Sequence, residues 1–193
     1  MNDPSTGGTT PELFELPRER KELSPGAVHV PGWLSVAEQR ALVRRCREWA
    51  TGPVPLRQVV LPGGGRMSVR STVLGRGRSP YRHLRAGGGA DAPDVPPWLV
   101  ELGRRAVREQ WGPDTQEARD YRPDTALLNY YDAAARMGMH QDQDEGCAAP
   151  IVSLSLGDAC VFRIGNTVTR AAPYQDVELR SGDLFVFGGP TRE

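Results

Sequence analysis

The stretch MGMHQDQDE, from Met137 to Glu145, contains a histidine and an aspartate separated by one residue, His140 and Asp142. An imidazole and a carboxylate, completed by a second imidazole, cover one face of an octahedral Fe(II) and leave three positions open for reactants. If His140 and Asp142 lie at the end of a strand, their i, i+2 spacing puts both side chains on one face, close enough to share an ion. Taken alone the H-x-D pattern is weak, because it arises often by chance and a surface histidine beside acids is usually only solvated.

The elements that must position these two residues are indicated by a change of sequence pattern near Pro123. Before it, SVAEQRALVRRCREWA predicts a helix, because Ser35 and Glu38 have the spacing of a capping box. A second helix is predicted to follow the Pro-Pro pair at 96–97 and to end near Gly112. After Pro123, apolar or alternating runs separated by turn residues predict strands: TALLNYY, PIVSLSL, ACVFRI, DVEL and LFVF. We therefore expect a mainly β protein with N-terminal helices (α+β), its β core a sandwich or jelly roll.

Length, charge and cysteine usage limit the class of protein. The chain of 193 residues is long enough for one domain with a hydrophobic core, and its 24 basic and 24 acidic residues cancel. Cys46, Cys147 and Cys160 include no C-x-x-C pair, which argues against a disulfide framework or a structural zinc site and for a reducing compartment. No apolar run approaches the length of a transmembrane helix. We expect a cytoplasmic monomer with no membrane segment.

Several long motifs resemble one known family. In order and spacing, LLNYYDAAARMGMHQDQDE, APIVSLSLGDACVFRIGN and VELRSGDLFVFGGPTR resemble the core of the AlkB family of Fe(II)- and 2-oxoglutarate-dependent dioxygenases. Upstream, LPGGGRMSVRSTVLG resembles the nucleotide-recognition segment of that family, so the resemblance covers about 54–192. It implies a double-stranded β-helix (jelly roll) in a dioxygenase domain over 25–193. Residues 1–24 mix Gly, Pro, Thr and charged residues with little to bury, which predicts a loose N-terminal tail. Within the dioxygenase domain we expect a recognition flap over 54–90 and the jelly-roll core over 123–193.

The resemblance also implies the cofactors and the residues that hold them. His140 and Asp142 are expected to be iron ligands and catalytic residues, and Asn129 and Tyr131 to hydrogen-bond the co-substrate 2-oxoglutarate beside a wall formed by Leu127. A neutral amide and a phenol are donors that can orient a carboxylate without neutralising it. Without the motif, a pairing of Asn129 and Tyr131 inside a sheet is the simpler explanation of these two residues.

The expected substrate is an alkylated nucleic-acid base. Members of this family hydroxylate a carbon attached to a base nitrogen, as in 1-methyladenine or 3-methylcytosine, and the carbon leaves as formaldehyde. A base inside a duplex cannot reach buried iron, so the nucleotide must be single-stranded or flipped out. Seven arginines and no acidic residue occupy 57–90, which predicts a basic surface for DNA or RNA, although a solvated Arg-rich loop explains the composition equally well. The predicted substrate-binding residues are Met67, Ser68, Tyr81, Asp144, Glu145 and Arg170.

The second histidine of the iron site is missing from the motifs. His29 and His83 do not occupy the family's position for it, which falls a few residues beyond Arg192, and the arginine that binds the far carboxylate of 2-oxoglutarate falls later still. We therefore expect a chain truncated at its C-terminus, with the last strands of the jelly roll missing. Two alternatives stay open: an Fe(II)/2-oxoglutarate hydroxylase of a protein or small molecule, and an inactive nucleic-acid-binding relative.

Overall fold

The computed structural model describes residues 17–60, 64–75, 92–142, 148–165 and 171–191. The helices in these ranges are Val36–Ala50 (α1), Pro97–Trp111 (α2) and Gln116–Asp120 (α3), with a 3-10 turn at Gly189–Thr191. The strands in the same ranges are Lys21–Ser24 (β1), Ala27–Val30 (β2), Arg57–Val60 (β3), Arg66–Gly75 (β4), Thr125–Tyr130 (β5), Ile151–Leu154 (β6), Cys160–Gly165 (β7), Tyr174–Leu179 (β8) and Leu184–Phe187 (β9). Both predicted helices and all five predicted strands are therefore confirmed, as is a mainly β protein with a few helices.

Helix α1 begins where the sequence predicts it. The Ser35 hydroxyl accepts the backbone N–H of Glu38, and the Glu38 carboxylate accepts the backbone N–H of Ser35, which are the reciprocal bonds of a capping box. Arg105 of α2 forms an ion pair with Glu38 at 2.8 Å and so joins the two helices. The Ser35 hydroxyl and the Arg105 guanidinium together lower the pKa of Glu38 to about 2. Within the described residues, no helix combines the length and the apolar character needed to cross a membrane.

Strand β9 lies at the centre of the largest sheet, which is antiparallel and has the order β1-β2-β9-β6. Its residues Leu184, Phe185 and Val186 are at most 1% exposed. Leu184 and Val186 pack against α2, whereas the Phe185 ring lies 4.8 Å from the ring of Phe162 on β7. Since successive side chains of a strand point to opposite faces, β9 is covered on both faces, which accounts for its continuous apolar run LFVF.

A second sheet contains β3, β4 and β5 in that order, and β7 pairs with β8 as a separate antiparallel ribbon. In the β4–β5 register Ser71 lies opposite Asn129, and Val73 lies opposite Leu127. Part of the predicted recognition flap therefore consists of strands that belong to a packed sheet, with Val69 fully buried. The flap segments over 61–63 and 76–90 lie outside the described residues.

The N-terminal segment is not a loose tail over its whole predicted length. Residues Lys21–Ser24 form β1, which pairs with β2 at the edge of the main sheet. Just before it, the Arg18 guanidinium binds both carboxylate oxygens of Asp183, at 2.6 and 2.9 Å. The prediction of a tail ending at residue 24 is therefore wrong for 17–24, because an ion pair with a residue distant in sequence holds this segment.

Candidate metal centre

Strand β5 positions the residues predicted to hold 2-oxoglutarate. Leu127, Asn129 and Tyr131 alternate along the chain, so their side chains belong to one face of the strand and of its extension. Tyr131, one residue past the strand, is 50% exposed. Leu127 and the predicted substrate-binding residue Met67 instead pack on a buried apolar cluster formed by Val54, Val59, Val73 and Ala92. This face of β5 is therefore apolar at Leu127 and polar at Asn129 and Tyr131, toward the end of the strand.

His140 and Asp142 follow β5 in an irregular segment and not at the end of a strand, as the spacing argument assumed. Their side chains meet nevertheless, with His140 Nε2 and Asp142 Oδ1 3.2 Å apart. With ligand bonds of about 2.1 Å, two adjacent ligands of an octahedral ion lie about 3 Å apart, so this nitrogen and this oxygen fit a shared cation. In the described part of the chain no third His, Cys, Asp or Glu joins them in a metal-binding group.

The backbone before His140 selects the nitrogen that can bind a metal. His140 Nδ1 lies 2.9 Å from the carbonyl oxygen of Gly138. When Nδ1 carries the proton it donates to this carbonyl, and the lone pair of Nε2 is then directed to the side where Asp142 lies. A hydrogen bond from the far ring nitrogen to a carbonyl is the usual way in which a metal-binding histidine is oriented. The donor set therefore suits a divalent cation such as Fe(II).

Tyr131 lies next to this pair and keeps its phenolic proton. Burial raises the pKa of Tyr131 above its ordinary value, and the neighbouring Cys160 and Asp142 raise it further. Its hydroxyl lies 3.7 Å from the sulfur of Met137, a weak acceptor. Tyr131 is therefore a neutral donor close to Asp142, which is the state required to bind an anionic co-substrate.

Asn129 has a partner that the sequence analysis missed. Ser71 of β4 donates a hydrogen bond of 2.7 Å from Oγ to Asn129 Oδ1. Ser71 is only 3% exposed, and it lies opposite Asn129 in the register of the two strands. Nothing in the local sequence distinguishes Ser71 from Ser68, because only the strand pairing decides which serine faces the amide.

Ser68, predicted to contact substrate, bonds to the loop that leads to the metal pair. Its hydroxyl donates to the carbonyl oxygen of Arg136 at 2.8 Å and accepts the backbone N–H of the same residue at 2.9 Å. These two bonds attach the segment between β5 and His140 to strand β4. Ser68 therefore contacts the backbone of the loop that precedes the predicted metal ligands.

Replacing Ser68 with alanine is expected to lower the free energy of unfolding by about 1 kcal/mol, since each neutral hydrogen bond contributes about that much and both partners lie near solvent. Urea denaturation with an unchanged m-value measures the loss. Ser68→Thr, which keeps the hydroxyl, is the control and should stay near the wild type. Equal stability of the Ala and Thr variants would show that the two bonds contribute nothing.

The remaining histidine of the described residues, one arginine of the basic segment and the other predicted substrate-binding residues lie as follows. His29 is buried in β2 with its Nε2 2.9 Å from Asp183 Oδ2, which places this histidine in a structural ion cluster. Arg70 of β4 lies with its guanidinium carbon 4.6 Å from the ring centre of the exposed Tyr130. Four predicted substrate-binding residues lie outside the described part of the chain: Tyr81, Asp144, Glu145 and Arg170.

Comparison with known proteins identifies the family. The model of the 2OG-Fe(II) oxygenase superfamily matches residues 26–193. The Alpha-ketoglutarate-dependent dioxygenase AlkB homolog of Caulobacter vibrioides is 38% identical over 87% of this chain and 74% of its own length. The Alpha-ketoglutarate-dependent dioxygenase AlkB of Escherichia coli is 35% identical over 90% of this chain and 80% of its own length. Both relatives are covered over most of their length.

Longer relatives and a solved structure agree with this family. The DNA N(6)-methyladenine demethylase ALKBH1D of Arabidopsis thaliana is 30% identical over 95% of this chain, which spans only 45% of that protein. The solved structure of OsALKBH1 matches with a TM-score of 0.70 and 27% identity, over 89% of this chain and 84% of that one. The match over most of this chain supports the same arrangement of sheets and helices. The chain therefore belongs to the AlkB family within the 2OG-Fe(II) oxygenase superfamily.

Proposed function

We propose that this protein removes alkyl groups from the nitrogens of DNA or RNA bases by Fe(II)- and 2-oxoglutarate-dependent oxidation. The observation that carries the proposal is the 3.2 Å contact between His140 Nε2 and Asp142 Oδ1, beside Tyr131, in a chain of the AlkB family. The 1-methyladenine and 3-methylcytosine type of lesion is the proposed substrate class. N6-methyladenine is a further candidate, since the Arabidopsis relatives are named as its demethylases.

The residues of the site have separate tasks in this proposal. His140 and Asp142 hold Fe(II) through Nε2 and a carboxylate oxygen, while Asn129 and Tyr131 donate hydrogen bonds to 2-oxoglutarate beside Leu127. Once bound, iron and 2-oxoglutarate supply the dioxygen-dependent hydroxylation of the alkyl carbon. The chain contributes orientation: Gly138 fixes the imidazole, and the protonated Tyr131 donates without adding charge. The proposed domain is 25–193, with a double-stranded β-helix as its core.

A nucleic-acid substrate is supported by the charge and the aromatic groups on strand β4 and its neighbour. Arg66 and Arg70 are exposed, and Arg70 stacks on Tyr130. Such a pair offers a cation to a phosphate and a ring face to a base. We propose that Tyr81, Asp144, Glu145 and Arg170 complete the contacts to the flipped-out base and its backbone, with Met67 and Ser68 forming the wall of the pocket. A cytoplasmic monomer is the proposed working state.

The test is formaldehyde release from methylated oligonucleotides by the full-length protein. We expect release from single-stranded DNA or RNA that contains 1-methyladenine, 3-methylcytosine or N6-methyladenine, and none when Fe(II), 2-oxoglutarate or the methyl group is omitted. The succinate formed should equal the formaldehyde on a good substrate. Failure on all three methylated bases, together with 2-oxoglutarate turnover that other compounds stimulate, would support a hydroxylase of a protein or small molecule instead. Salt-sensitive oligonucleotide binding without any turnover would identify an inactive relative.

A further inference from the structure

We propose that Ser71 is a positioning residue that sets the orientation of the Asn129 amide, so that its NH₂ group and not its oxygen faces the carboxylate of 2-oxoglutarate. The observation is the 2.7 Å hydrogen bond from Ser71 Oγ to Asn129 Oδ1. This inference rests on the proposed function, because it assumes that Asn129 binds the co-substrate.

The orientation matters because the two ends of an asparagine amide have opposite roles. The oxygen is an acceptor and the NH₂ group is a donor. The two groups exchange places when the side chain rotates by about 180° around its Cβ–Cγ bond. Only the NH₂ end can donate to a carboxylate, whereas the oxygen end repels it. An Asn129 free to adopt both orientations would therefore present the wrong end for part of the time, and the measured affinity would fall by that fraction.

Ser71 favours the productive orientation because its hydroxyl can donate a proton to Oδ1. With an anionic ligand beyond Asn129, only one arrangement makes both contacts favourable: the hydroxyl donates to Oδ1, and the amide N–H donates to the carboxylate. Coupled hydrogen bonds of this kind also polarise one another. Neither serine nor asparagine gains or loses a charge, so the effect depends on geometry alone.

The position of Ser71 shields the serine end of this bond, whereas Asn129 is exposed. Ser71 is 3% exposed, so water hardly competes for its hydroxyl. It lies directly opposite Asn129. This pair is one of six consecutive cross-strand pairs between β4 and β5, which run from Arg70–Tyr130 to Gly75–Thr125. The sheet therefore holds the two backbones in place, and the hydroxyl acts on the side-chain torsions of Asn129, including the one that turns the amide.

The test compares threonine and valine at position 71, which have the same shape and differ only in the hydroxyl. The dissociation constant of 2-oxoglutarate is measured by calorimetry in the full-length protein loaded with Mn(II), which avoids turnover. We expect Ser71→Thr to bind 2-oxoglutarate almost as the wild type does and Ser71→Val to bind it about threefold to tenfold more weakly, which is what one neutral hydrogen bond contributes. In turnover, KM for 2-oxoglutarate should rise while kcat changes little.

The same pair of variants in an Asn129→Ala background separates positioning from packing. There the difference between Thr and Val should disappear, because no amide remains to be oriented. Equal dissociation constants of Ser71→Thr and Ser71→Val with Asn129 present overturn the proposal, and so does a difference that persists in the Asn129→Ala background. If Asn129→Ala alone leaves the affinity unchanged, the role of Asn129 is refuted and this inference with it. A wild-type protein that binds no 2-oxoglutarate refutes the proposed function before any variant is made.

Discussion

Replacing Asp142 with alanine is expected to weaken Fe(II) binding and 2-oxoglutarate turnover by at least about 100-fold. Loss of a group that only supports a metal ligand already costs about 10–100-fold in metal affinity or activity, and in the proposed site Asp142 is the charged ligand itself. The substitution leaves His140 Nε2 without the carboxylate that lies 3.2 Å away. His140→Ala should have a similar effect, because it removes the nitrogen that the Gly138 carbonyl orients. Metal titration of each variant, followed by succinate assay, measures both losses.

The matched control for this experiment is Asp158→Ala, which removes the same side chain from an exposed turn between β6 and β7. It should bind Fe(II) as the wild type does and unfold at nearly the same denaturant concentration. If Asp142→Ala retained wild-type metal affinity, the assignment of the metal centre to this pair would be wrong.

The second large effect is expected on stability, at the carboxylate of Asp183. The side chain is fully buried, and it accepts hydrogen bonds from the Arg18 guanidinium, His29 Nε2 and the backbone N–H groups of Gly32 and Arg180. Asp183→Asn keeps the shape but removes the charge and turns an NH₂ group toward these donors. Breaking a buried ion pair in this way costs about 3–5 kcal/mol, and we expect the lower end of that range because solvent reaches part of Arg18. Chemical denaturation monitored by circular dichroism gives the difference directly.

Asp176→Asn is the control for the Asp183 experiment. Asp176 also accepts two hydrogen bonds from one arginine, Arg163, at 2.6 and 2.7 Å, but both side chains are largely exposed. Its loss should change stability far less, since water screens an exposed pair and replaces its bonds. If the two substitutions lowered the free energy of unfolding by similar amounts, burial would not be the reason why Asp183 stabilises the fold.

The Asp183 contribution should also depend on pH, in a direction set by its ionisation. Burial by itself would raise the pKa of Asp183, but the hydrogen bonds from Arg18, the two backbone N–H groups and His29 outweigh it and lower the pKa to about 2. In the unfolded chain an aspartate has a pKa of about 3.9. The stabilisation is therefore complete above about pH 4 and is lost as the pH falls toward 2. The stability difference between wild type and Asp183→Asn should shrink over that interval and stay constant from pH 5 to 7.

The sequence alone determined features that depend on local pattern. The Ser35–Glu38 capping box placed the start of α1, and the apolar run LFVF identified a strand. The pair His140 and Asp142 was found from residue type and spacing, and the longer motifs around it identified the family. Each of these signals acts over a few residues, where torsional preference and side-chain periodicity are enough to specify the outcome.

Only the tertiary structure decided which distant residues meet. Ser71 faces Asn129 because β4 and β5 pair in one register, and a shift of one residue would have turned the hydroxyl to the opposite face of the sheet. Arg18 and His29 converge on Asp183 across more than 150 positions of sequence, which no local pattern encodes. Even the His140–Asp142 contact forms on irregular backbone, through the Gly138 carbonyl, and not through the strand geometry that the spacing suggested. Long-range pairing depends on the free energy of the whole packed core, so it becomes visible only when the chain is folded.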